Sequence, residues 1–96
     1  MKQKIIEECK KYGYELNWEE NNYLSFINRN AHKDLQVFDI QVDEELERVC
    51  MAIIIDLGSW NEAIEYDLNN EEEIMNGIKN WISEDNLNSI LEWLED

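Results

Sequence analysis

Arg48-Val49-Cys50-Met51-Ala52-Ile53-Ile54-Ile55-Asp56-Leu57-Gly58 is the longest apolar run in the chain, and its reading decides the fold. Its length and its β-branched residues (Val49, Ile53, Ile54, Ile55) suit a strand better than a helix. Alternation puts Val49, Met51, Ile53, Ile55 and Leu57 on one side and Cys50, Ala52 and Ile54 on the other. Both sides are apolar until Asp56, the pattern of a central strand with neighbours on either hand.

Working outward, period-two alternation recurs on both flanks. Gln36 to Asp43 sends Phe38, Ile40 and Val42 one way and Val37, Asp39, Gln41 and Asp43 the other, predicting a strand. Tyr23 to Asn28, with Leu24 and Phe26 on one face, predicts another. Tyr14, Leu16 and Trp18 alternate with Glu15, Asn17 and Glu19, and Glu20-Asn21-Asn22 reads as the turn of a hairpin. Beyond the central run, Gly58-Ser59 reads as a turn. Trp60, Ile64, Tyr66 and Leu68 then alternate with Asn61, Ala63, Glu65 and Asp67 as a fifth strand.

Helical spacing appears at both ends. Ile5, Ile6, Cys9 and Tyr12 form a stripe over residues 2–12, with Gly13 placed as a C-cap. Asn70 followed by Glu73 resembles a capping box opening a helix that buries Ile74, Met75, Ile78, Trp81 and Ile82. Glu71, Glu72 and Glu73 favour its N-terminal dipole. Gly77 inside this helix costs about 1 kcal/mol relative to alanine, so close packing on the sheet is its expected role. Ser83 can cap a last helix carrying Leu87, Ile90, Leu91 and Leu94. These elements predict one α+β domain over 1–96. An N-terminal helix precedes an antiparallel meander of four to five strands, and two C-terminal helices pack on the sheet.

Charge dominates the composition. Ninety-six residues carry 23 acids against 8 bases, a formal charge of −15. Solubility alone does not need that excess. It opposes binding to nucleic acid or to an anionic membrane, and favours a basic partner. The charge is uneven: residues 51–96 hold Lys79 as their only base against 12 acids, and four of the 8 bases fall in the first eleven residues. No stretch has the roughly 20 apolar residues of a membrane span, and Met1 to Cys9 lack the apolar core of a secretory leader. A cytoplasmic setting is therefore expected, with Cys9 and Cys50 as buried free thiols rather than a disulfide.

Catalytic signatures are missing. His32 sits in a polar loop. Asp43/Glu44 and Asp56/Glu65 match no metal frame, the three glycines form no phosphate loop, and the serines lack a nucleophile context. No enzyme activity, metal or cofactor is expected. If the helices cover one sheet face, the other carries Glu15, Asp39, Asp43, Asp56, Glu65 and Asp67 around an apolar centre of Ile27, Ala52 and Ile54. These six acids are the expected partner-binding residues. Carboxylates two apart on a strand stand about 6.6–6.8 Å from each other, and rows repeat at roughly 4.8 Å between strands. That lattice is of the same order as the phosphate spacing of a nucleic acid.

Size, charge and element order together resemble small acidic phage anti-CRISPR proteins that mimic DNA. Asp39-Ile40-Gln41-Val42-Asp43-Glu44-Glu45 and Glu62-Ala63-Ile64-Glu65-Tyr66-Asp67 are the segments where a mimic surface would lie. The resemblance implies an inhibitor of a basic nucleic-acid-binding nuclease, such as a CRISPR-Cas effector. An immunity protein against a basic toxin nuclease rests on the same physics, and a non-catalytic acidic adaptor would use the charge for solubility only.

Overall fold

β3 (Val37–Asp43) and β4 (Arg48–Ile54) form the densest part of the computed structural model, which describes residues 1–55 and 63–95. They pair antiparallel from Val37↔Ile54 to Asp43↔Arg48. β1 (Glu15–Glu20), β2 (Tyr23–Ile27) and β5 (Ile64–Asp67) complete a five-stranded antiparallel sheet in the order β1-β2-β3-β4-β5. The meander is the predicted one. Its middle strand is β3, and the apolar run lies one place to the side, between β3 and β5. β4 ends at Ile54 and β5 opens at Ile64. The expected continuation through Asp56 and Leu57, the Gly58-Ser59 turn, and Trp60 with Asn61 lie outside the described residues.

Three helices, α1 (Lys2–Lys11), α2 (Glu71–Ile82) and α3 (Glu84–Glu95), cover one face of the sheet. Under them lie Leu24 and Phe26 of β2, Phe38, Ile40 and Val42 of β3, and Val49, Met51 and Ile53 of β4, with Ile5 and Cys9 of α1 and Ile74, Ile78, Trp81 and Ile82 of α2. The α3 side chains Leu87, Ile90, Leu91 and Leu94 are half-buried against the same core.

Local chemistry sets the helix ends. Gly13, at φ +87°, follows the C-cap of α1. Its N–H donates to the Lys10 carbonyl (3.0 Å) and the Tyr14 N–H to that of Cys9 (3.1 Å), the two bonds of a Schellman motif. Tyr14 is thereby turned into the core, where its hydroxyl donates to the Leu35 carbonyl, and burial pushes that hydroxyl up to about 12. At α2, the Asn70 Oδ1 accepts from the Glu73 N–H (3.0 Å), the predicted cap. Gly77 faces Tyr66 of β5: a Cβ there would stand 2.7 Å from the tyrosine ring. The glycine lets helix and edge strand approach, as its position suggested.

One strand departs from its reading. The pairing of β1 with β2 shifts between Leu16↔Phe26 and Trp18↔Ser25. This β-bulge around Asn17 adds one residue and reverses the alternation beyond it. Trp18 therefore leaves the covered face assigned to it by strict alternation, and joins the open face at 47% exposure. Glu19 moves the other way, into register with Leu24, and reaches Lys2 of α1 at 3.8 Å.

Candidate partner-binding surface

Among the described residues no helix lies over the second face, which the strand register lays out in rows. The first row is Glu15, Ile27, Val37 and Ile54. The second is Trp18, Ser25, Asp39 and Ala52, the third Glu20, Tyr23, Gln41, Cys50 and Glu65, and the last Asp43, Arg48 and Asp67. The expected apolar centre of Ile27, Ala52 and Ile54 is present, with Val37 added. The expected acids are spread across the rows unequally. Asp43, Glu65 and Asp67 come together. Glu15 stands alone at the far end beside apolar neighbours. Asp39 is only 7% exposed. Asp56 lies outside the described residues.

Asp39 is the polar centre of this face. Its Oδ1 accepts from the Ser25 hydroxyl (2.7 Å) and its Oδ2 from the Tyr23 hydroxyl, so two side chains of β2 satisfy a carboxylate of β3. Desolvation and the bonded Asp39 charge both push the Tyr23 phenol up, keeping it a donor. Trp18 stacks on the Tyr23 ring, with centroids 5.4 Å apart and planes at 19°. Neither contact was visible in the sequence, because both depend on register and on the bulge.

Arg48 was also missed. It is the only base between Lys33 and Lys79. It pairs in register with Asp43 and Asp67, and its guanidinium meets Glu65 Oε1 at 3.0 Å. One cation thus sits among three carboxylates. Its solitary position in an acidic segment was the available signal.

The topology does more with charge than the face alone. β1, β3 and β5 end, and β4 and α2 begin, at the same end of the sheet. Four acidic stretches converge there: Glu19-Glu20, Asp43-Glu44-Glu45 with Glu47, Glu65 with Asp67, and Glu71-Glu72-Glu73. Eleven of the 23 acids therefore gather at one pole, against Lys2, Lys4 and Arg48. A cleft of about 470 Å³ opens at this pole between the β1–β2 and β3–β4 turns, with Glu20, Asp43, Glu44 and Glu45 in its walls. The bases Lys10, Lys11, Arg29 and Lys33 belong to the other end, where Lys11 and His32 line a second cleft beneath α3.

Cys9 and Cys50 are both free thiols, but only Cys9 is buried as expected, and Cys50 is half-buried. Cys9 is buried on the helix-covered side, whereas Cys50 belongs to the open face. Desolvation, then the nearby Glu65 charge, pushes the Cys50 thiol up and away from the nucleophilic thiolate. Among the described residues no cluster of three or more histidine, cysteine, aspartate or glutamate side chains could hold a metal ion, and no helix is long and apolar enough to cross a membrane. Comparison with protein families, with curated proteins and with solved structures finds no match to this chain.

Proposed function

We propose that this chain is a non-catalytic acidic inhibitor that sets its carboxylate pole against the basic nucleic-acid-binding surface of a nuclease. The observation that carries the reading is the convergence of four acidic stretches at one end of the sheet, with a single arginine among the strand carboxylates. β1, β3 and β5 supply carboxylates at strand spacings, and the β3–β4 turn and the first turn of α2 supply the rest. A partner built to grip phosphates would meet comparable charge density on a rigid support. Encounter would be steered by charge and would weaken as salt rises. A CRISPR-Cas effector is the nuclease that the resemblance implies. The setting proposed is the cytoplasm, where such a partner works.

The test is a nuclease-binding assay at several salt concentrations with the native chain and the triple reversal D43K/E65K/D67K. All three residues sit at the pole and none belongs to the core. The expected result is stoichiometric inhibition by the native chain, and an affinity at least about a hundredfold lower for the reversal at low salt. Circular dichroism should be unchanged. Recovery of a toxin nuclease in a pull-down would redirect the reading to an immunity protein. A partner that still binds nucleic acid at stoichiometric protein would make the chain an adaptor and end the inhibitor reading.

A further inference from the structure

The open face holds a dent of about 250 Å³, lined by Tyr23, Asp39, Gln41, Cys50, Met51, Ala52 and Ala63. Small-molecule sites usually occupy roughly 300–1,000 Å³, so this one is the size of a side chain. Most of its lining is apolar, and its one charge is the Asp39 carboxylate. That carboxylate is buried and has hydrogen bonds from Ser25 and Tyr23, but no basic residue pairs with it among the described residues. Each oxygen has accepted one bond and keeps capacity for another. A buried anion without a countercharge, at the bottom of an apolar dent, suits a group with an apolar stem and a cationic head.

We propose that this dent is the seat of an arginine side chain from the basic partner. The proposal rests on the function proposed above and names its anchor. Arginine fits better than lysine because its planar fork can add bonds to a carboxylate whose oxygens are already partly used, and because it is the more weakly hydrated cation. Tyr23, braced by the stacked Trp18, fixes the hydroxyl that holds the Asp39 carboxylate at the dent. The position also fits. Tyr23 and Gln41 line both the dent and the acidic cleft at the pole. An extended basic segment lying in the cleft would therefore carry a neighbouring arginine across that shared wall to Asp39. Long-range attraction would come from the pole and the local anchor from the dent, the division seen where a few buried residues dominate an interface.

A hexa-arginine peptide is the probe, followed by amide chemical-shift mapping and calorimetry on the full chain. Asp39→Asn removes the charge from the dent. Ala63→Leu fills it from an exposed rim position while leaving every carboxylate in place, so it keeps the test alive if Asp39→Asn disturbs the fold. The expected result is shifts at Asp39, Cys50, Ala52 and Ala63 together with the pole, and an affinity about tenfold lower for either variant. A hexa-lysine peptide should shift the pole and leave the dent amides still. Peptide binding confined to the pole, with Ala63→Leu unchanged, overturns the seat and leaves the acidic-inhibitor reading standing. Loss of all peptide binding even at low salt overturns both. Self-association that Ala63→Leu abolishes would give the face to a second copy and overturn the proposal.

Discussion

Ile53 and Ile54 are adjacent in β4 and belong to different worlds. Ile53 points under the helices, is fully buried and belongs to the core that joins α1, α2 and three strands. Ile54 points to the open face, half-exposed in a row with Ile27 and Val37. The same contrast runs across the sheet. The covered face is close-packed and apolar, while the open face mixes a short apolar row, one buried carboxylate and a rim of charge. Apolar pattern alone gives these faces similar sequences in β4. What separates them is which one the helices need.

The contrast is broken most directly at those two isoleucines. Ile53→Ala should lower the unfolding free energy by about 2–5 kcal/mol, because it leaves a cavity within fixed neighbours. Ile54→Ala should cost less than about 1.5 kcal/mol, since its site is half open to solvent and can relax. Urea unfolding of both variants measures the difference. Equal losses would mean that the open face is covered in solution, and the docking surface would then have to be sought on the helices.

Gly77 sharpens the comparison from the helix side. A methyl group there runs into the Tyr66 ring, so Gly77→Ala should destabilise by about 1–3 kcal/mol despite the better helix propensity of alanine. In a Tyr66→Ala background the clash is gone. There the same change should stabilise by about 1 kcal/mol, the ordinary helix-propensity gain. The double-mutant cycle is read by thermal or denaturant unfolding. A Gly77→Ala effect of the same sign in both backgrounds would show that the α2–β5 approach is not what the glycine serves.

The fold was largely legible. Alternation in Val37–Asp43 and Arg48–Ile54, the Gly13 stop and the Asn70 cap are all local signals, and the structure uses each of them. The surface was legible only in part. Glu15, Asn17 and Glu19 alternate without a flaw in the sequence, so nothing local announces the bulge that sends Trp18 outward. Asp39 reads as one exposed acid among several until register puts Ser25 beside it and Tyr23 within reach. The gathering of acids at one pole is likewise a product of topology. Glu19, Asp43 and Asp67 are far apart in the chain and share an end because the strands reverse, and Glu71 joins them by following four residues after Asp67.

The smallest expected effect is the one that best separates folding from binding on the open face. Arg48 is paired with Glu65 across β4 and β5, with both side chains substantially exposed, and such pairs contribute at most about 1 kcal/mol. Its Nε is also buried without a hydrogen-bond partner, which offsets part of that gain. Arg48→Ala should therefore leave the unfolding free energy within about 1 kcal/mol of the native value. At the same time it removes the single cation from among Asp43, Glu65 and Asp67, deepening the negative potential of the pole. Binding of an arginine-rich peptide should tighten a few-fold at low salt and return to the native affinity as salt screens the added field. If the variant instead binds more weakly, Arg48 holds the three carboxylates in their binding arrangement. The pole would then depend on an internal cation for its geometry, as the covered face depends on its packing.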